Sequence, residues 1–293
     1  MIFWENNKFC AWSLSLFLLG TTPACDLGVS SPVVMETQQQ TQQEILQALT
    51  QADIVYLGET HNSEADHQAQ LEILEALYQE NPQIVLALEM FQRPFQNVLD
   101  KYLAGEITEA ELIARSEYEQ RWGFPWEYYA PLLRFAKENQ LPVLALNTPS
   151  EITRQVARNG LTSLTPDQQK YIPPLAEIRL DNDAYRAMIQ TVYQAHHQGG
   201  HGNSEGFDNF FAAQVLWDET MAEKIAQFAQ TNPEHQIIVI AGQGHVIYGY
   251  GIPSRVARRL ANENVVQSSV LFSQSPGQNS ENQAKIADYF WQH

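Results

Sequence analysis

Asp53-Ile-Val-Tyr-Leu-Gly-Glu-Thr-His61 is the stretch that decides the fold. Ile54, Val55 and Leu57 make a short apolar run with β-branching, which suits a strand in a covered parallel sheet better than a helix. Directly after it, Ser63-Glu-Ala-Asp66 carries the capping signature that opens a helix. Strand, Gly58 turn and helix start place Glu59 and His61 at the carboxyl end of a strand. Open α/β sheets gather their ligands at that edge.

The arrangement recurs. Ile84-Val-Leu-Ala-Leu-Glu89 is a second apolar strand closing on a carboxylate, and Pro142-Val-Leu-Ala-Leu-Asn147 is a third closing on an amide. Gln236-Ile-Ile-Val-Ile-Ala-Gly242 is the fourth, followed by Gly242-Gln-Gly-His245, and a last strand falls near residues 265–272. Helical patterns lie between them: Leu71, Leu74, Leu77 and Tyr78 form one stripe, and Phe207, Phe210, Phe211, Trp217, Met221, Ile225 and Phe228 another. Strands separated by helices long enough for right-handed crossovers imply an α/β fold with a mostly parallel sheet flanked by helices. From Leu161 to about Asn203 no strand pattern occurs and Pro166, Pro173 and Pro174 punctuate short helices, which reads as a helical insertion over the carboxyl edge of the strands.

The ends read differently. Lys8 precedes the apolar run Phe9–Gly20, too short for a comfortable bilayer span and suited to a secretory signal, and Thr22-Pro-Ala-Cys25 follows like a lipoprotein cleavage site. Residues 1–25 are therefore expected to be a signal peptide with lipidation at Cys25, and residues 26–43 a flexible tether to a membrane of the bacterial cell envelope. Residues 44–272 are expected to form one α/β domain, with the insertion at about 161–203, and residues 273–293 a C-terminal tail ending in a short helix. Cys10 would leave with the signal, so no disulfide is expected. A formal charge of −17 on 293 residues, with no basic stripe, argues against nucleic acid as a partner.

If the strands are parallel neighbours, Glu59, His61, Glu89, Asn147 and His245 converge on one rim. Such a set can hold a divalent metal through imidazole nitrogens and carboxylate oxygens, or run acid–base chemistry without metal. Both readings stay open on the residues alone. The absence of a Gly-rich phosphate loop after any strand argues against a nucleotide cofactor. Gln214 and Asp218, four apart on the aromatic-striped helix, are candidates for a supporting shell behind the rim. Tyr185, Tyr193, His196, His197 and His201 supply phenols and imidazoles in or beside the insertion, the protein's usual oxygen and nitrogen ligands to haem iron.

Gly58-Glu-Thr-His61 and Gly242-Gln-Gly-His245, together with Glu89 in Leu-Glu-Met-Phe, Trp217-Asp-Glu-Thr-Met-Ala222 and Gly249-Tyr-Gly-Ile-Pro-Ser-Arg255, resemble the ChaN-like haem-binding lipoproteins of the broader Tiki/TraB/erythromycin-esterase superfamily. The likeness runs from Asp53 to Phe272. It implies a haem-binding envelope lipoprotein of iron uptake or storage, with haem held between two subunits and its iron on tyrosine. Tyr185 and Tyr193 are the expected ligands, and His196, His197 and His201 the propionate or axial partners. It equally implies that His61, His245 and Glu59 or Glu89 match a metal-hydrolase centre of the Tiki type, with Asn147, Gln214, Asp218 and Arg255 around it.

Overall fold

The computed structural model describes residues 42–196, 204–272 and 285–293. Helix α1 (residues 42–49) leads into β1 (Ile54–Glu59), α2 (Glu64–Glu80) and β2 (Ile84–Gln92). Three helices follow, α3 (Gln96–Leu103), α4 (Glu109–Arg115) and the single turn α5 (Tyr118–Arg121). Next come α6 (Ala130–Glu138), β3 (Val143–Asn147) and α7 (Ser150–Asn159). The insertion carries α8 (Pro166–Gln169) and α9 (Asp183–His196), and the long α10 (Ser204–Thr231) returns the chain to β4 (Gln236–Gly242). Helix α11 (Ile252–Arg259), β5 (Gln267–Leu271) and β6 (Tyr289–Phe290) complete the body.

The sheet has six strands in the order β3-β2-β4-β1-β5-β6, and every pair is parallel. The four strands whose ends carry chemistry are therefore contiguous, with Asn147, Glu89, Gly242 and Glu59 along one rim. Side chains alternate between two cores. Val55, Leu57, Leu86, Leu88, Ile238 and Ile240 pack with α2, α3 and α6, while Ile54, Tyr56, Val85, Ala87, Ile237 and Val239 pack with α10 and α11. A third core joins the insertion to α7 and the first half of α10 through Ile152, Tyr185, Ile189, Phe207 and Phe211.

Two details position the rim. Ser63 caps α2, accepting from the Asp66 backbone N–H, and Asp66 Oδ2 accepts from the Thr60 N–H at 2.8 Å, which pins the turn after Glu59. Between Leu88 and Gln92 the register of β2 against β3 slips, so that Leu88 faces Ala145 while Gln92 faces Asn147. The extra residues bend β2 where Glu89 sits, and the Asn147 amide donates to the Glu89 carbonyl at 2.7 Å and holds that bend.

The C-terminal segment departs from expectation. In place of a terminal helix, Tyr289 and Phe290 add a strand beside β5, and Trp291 is buried at 1% exposure. The ring is a large apolar body that only the core can shield from water, so the residues carrying it dock. Cys25, His197 and His201 lie outside the described residues, and His196 is the last residue of α9.

Candidate functional site

Glu59 continues the face of Val55 and Leu57, so its carboxylate looks toward α2 and the aromatic loop after α5. It is 1% exposed, and three groups hold it. Tyr129 Oη donates to Oε1 at 2.5 Å, His61 Nδ1 lies 2.7 Å from the same oxygen, and the Gln70 amide donates to Oε2 at 2.8 Å. Burial alone would raise this carboxyl, but the hydrogen bond and charge of His61, the charge of His67 and the Tyr129 phenol outweigh burial and hold it below the ordinary carboxylate range. The His61 ring stands against Trp122 and Phe124, each with centroid 4.9 Å away.

The other face of the sheet carries a matching chain. Tyr185 Oη donates to Asp218 Oδ2 at 2.6 Å, and Asp218 Oδ1 lies 2.6 Å from His245 Nδ1. His245 Nε2 then faces Glu89 Oε1 at 3.5 Å, long for a hydrogen bond, and that oxygen has no other partner. Glu89 Oε2 accepts the Gly242 backbone N–H at 2.7 Å. The Gln214 amide lies 3.2 Å from His245 Nδ1, and Trp217 stands edge-on to the ring at 5.0 Å.

Two tyrosine–carboxylate–histidine chains, one from each side of the sheet, thus meet beside Gly242. A Cβ at that glycine would come within 2.8 Å of both Cε1 and Nε2 of His61 and 3.7 Å of Glu89 Oε2, so only a bare backbone lets imidazole and carboxylate share the space. Gly251 plays the same part behind His245, since a Cβ there would collide with the His245 carbonyl.

The electrostatics follow from burial and pairing. Burial disfavours a charged His245, yet the Glu89 and Asp218 carboxylates overcome it and raise the imidazole to about 10. His61 is raised as well: burial opposes its charge, and the hydrogen bond to Glu59 and the charge of Glu89 prevail. Glu89 is lowered, burial being outweighed by His245 and His61. The rim therefore pairs carboxylates with imidazoles that hold their protons more tightly than usual. It can deliver protons through His61 or His245 and accept one at Glu89 Oε1, which carries no hydrogen bond and only the 3.5 Å ion pair to His245.

Among the described residues, no three His, Cys, Asp or Glu side chains are disposed as a metal-ligand group.

Of the residues singled out from sequence, Glu59, His61, Glu89, Asn147, Gln214, Asp218, Tyr185 and His245 come together. Tyr185 takes a different part from the expected one. It is buried at 0% exposure with its phenol spent on Asp218, so it supports His245 and cannot reach a ligand in solvent. Tyr193 is half-buried against Phe207 and Phe210 at 5.5 and 5.2 Å. Arg255 is also structural. It donates to the carbonyls of Tyr250 and Gly251, reaches Glu219 at 3.5 Å and covers the Tyr185 ring at 5.2 Å.

Sequence reading missed Tyr129, Gln70 and His67. His67 and Gln70 sit three apart on α2, the spacing that puts both on one helix face, and that was the available signal. Tyr129 had none, because nothing local separates it from Tyr128.

An open groove of about 330 Å³ lies between α7 and the insertion, lined by Pro94, Phe95, Pro149, Ile152 and Tyr171 and by the polar Gln92, Arg121, Glu151, Asp167 and Gln168. Tyr171 is 41% exposed, and with Leu180 and Val266 it is one of the exposed large apolar side chains.

Comparison with known proteins places this architecture. The family described as "Haem-binding uptake, Tiki superfamily, ChaN" matches residues 33–256. The structure of ChaN of Campylobacter jejuni, described as showing cofacial haem binding, superposes with a TM-score of 0.64 at 19% identity, covering 85% of this chain and 90% of that one. Protein RETICULATA-RELATED 5, chloroplastic, of Arabidopsis thaliana is 26% identical over 275 residues, 84% of this chain, and the chain spans 35% of that relative's length. The chain belongs to the ChaN family of the Tiki superfamily.

Proposed function

We propose that this protein binds haem on the outer face of its helical insertion. The observation that carries the reading is Tyr171, a tyrosine lining a groove of mixed apolar and polar walls with 41% of its surface open to solvent. A phenol in that position can ligate ferric iron, whereas Tyr185 cannot. Leu180 is 40% exposed and the neighbouring Arg179 is an exposed cation suited to a propionate, whereas Lys170, next to Tyr171 in sequence, already pairs with Asp167 at 2.6 Å. Bound haem supplies an iron centre whose fourth-row chemistry is the cofactor's own; this chain's part is to ligate it, wall it and pair its propionates.

Family membership supports the reading, as does the cofacial haem described for the Campylobacter jejuni protein. By the same likeness, two copies would meet face to face over their haems. Lipidation at Cys25 would tether the body to a membrane of the cell envelope, where haem or iron is taken up or stored. Haemin titrated into the purified protein should give a saturable Soret band, and Tyr171→Phe should shift that band or weaken binding at least tenfold. Sedimentation should show dimers forming with haemin. No spectral change on titration refutes the reading. Cys25→Ser should release the protein from the membrane fraction.

A second reading, hydrolysis by acid–base catalysis at the strand rim, is favoured by Glu89 Oε1, which carries no hydrogen bond and faces His245 Nε2 at 3.5 Å. In it Glu89 takes a proton from the attacking water and His61 or His245 donates one to the leaving group. Turnover of a chromogenic ester, lost in Glu89→Gln and kept in Tyr171→Phe, would select it over haem binding.

A further inference from the structure

Around Glu59 the aromatic rings form a connected network. Tyr129, 0% exposed, lies 6.1 Å from Trp122 and 6.5 Å from Tyr118 between ring centroids, and Tyr118 lies 5.0 Å from Trp126. Trp126 is half-buried and donates its indole N–H to Glu109 at 2.8 Å, so it carries the network to the surface. Tyr118 Oη has no hydrogen-bond partner, whereas Tyr129 Oη rests on the Glu59 carboxylate at 2.5 Å. Within this cluster Tyr129 is the phenol with a base in place.

A phenol loses an electron far more readily when its proton can leave at the same moment, because the bare radical cation is a strong acid. Glu59 is that acceptor: it is buried, already takes the phenolic hydrogen bond at 2.5 Å, and is oriented by Gln70 and His61. The tyrosine of the other chain is set against oxidation. The Arg255 guanidinium stands 5.2 Å over the Tyr185 ring, and a cation on the ring face disfavours removing an electron from it.

We propose that Tyr129 is a redox site, a buried tyrosine that gives up one electron to oxidants of the peroxyl-radical class arriving at Trp126. The electron passes from the Tyr129 ring through Tyr118 and Trp126 to the oxidant. The phenolic O–H bond breaks and its proton moves to Glu59 Oε1, leaving a neutral phenoxyl and a carboxylic acid. The peroxyl radical takes the electron and one solvent proton and leaves as a hydroperoxide. The site thus drains oxidising equivalents from the surface into one stable radical, and it does so whether or not haem is bound.

The test is photochemical oxidation of the full chain by tris(bipyridine)ruthenium(III), generated by light with a sacrificial acceptor, with the radical read by electron paramagnetic resonance. Protein labelled with ring-deuterated tyrosine should give a narrowed phenoxyl signal, and this arm needs no mutation. Tyr129→Phe should remove that signal while Tyr185→Phe leaves it. Glu59→Gln, which keeps the phenol and weakens the base, should cut the radical yield at least tenfold. A signal that follows deuterated tryptophan instead, or one that persists at full yield in Tyr129→Phe, overturns the proposal. Undiminished yield in Glu59→Gln overturns the role of the carboxylate.

Discussion

His245 Nδ1 lies 2.6 Å from Oδ1 of Asp218, a contact between the turn after β4 and the middle of α10. Both groups are buried, and Asp218 with Glu89 raises the imidazole from its ordinary 6.5 to about 10. A folded value above the unfolded one means the charge stabilises the fold fully below about pH 6.5, and this contribution is lost as pH rises through about 10. Thermal midpoints should therefore decline between those values. Glu59 and Glu89 act in the opposite sense: their contribution is present above the ordinary 4.5 and is lost as pH falls through their lowered values. Asp218→Asn should flatten the alkaline decline, with the His245 titration seen by NMR moving down by ~1–3 units. An imidazole still titrating near 10 in that variant would contradict the pairing.

Gly242→Ala asks for room the rim does not have, since the new Cβ would stand 2.8 Å from the His61 ring. The neighbour is a packed imidazole wedged against Trp122 and Phe124, so it cannot swing aside freely. Denaturant unfolding should report a loss of ~1–3 kcal/mol. A stability equal to that of the parent would mean that His61 is looser than its contacts imply.

Tyr185→Phe separates the two parts a tyrosine could play. Removing its hydroxyl leaves Asp218 Oδ2 buried without its donor, which should cost ~1–3 kcal/mol in unfolding free energy. The haemin spectrum should not move, because the phenol faces into the body. Tyr171→Phe should behave the other way round, altering the spectrum at nearly unchanged stability.

Glu219 is buried at 0% exposure and is held by Arg258 at 2.7 Å and Arg259 at 2.5 Å, with Arg255 at 3.5 Å. The carboxylate ties α11 to α10, and its loss strands guanidinium charge in a poorly solvated place. Glu219→Gln should destabilise by ~3–5 kcal/mol in chemical denaturation. A small effect would show that water reaches these arginines once the carboxylate is gone.

Five of the six strands, their order along the chain and the character of their ends are legible in the residues alone; β6 is not, because two residues carry no strand pattern. Runs such as Ile84–Leu88 and Ile237–Ala241 leave few alternatives to a parallel sheet covered on both faces, and parallel pairing forces Glu59, Glu89, Asn147 and the His245 turn to one rim. Which carboxylate serves which imidazole emerges from long-range packing instead. Glu59 and Asp218 each bond a histidine's Nδ1 across a turn or between elements, a choice set by the slipped register of β2, the bare backbone at Gly242 and the crossing of α10. It also buried Tyr185 and left Tyr171 in solvent, though both are tyrosines in the same helical insertion. The packing of α9 against α7 and α10 separates them, and such long-range burial leaves no mark in local pattern.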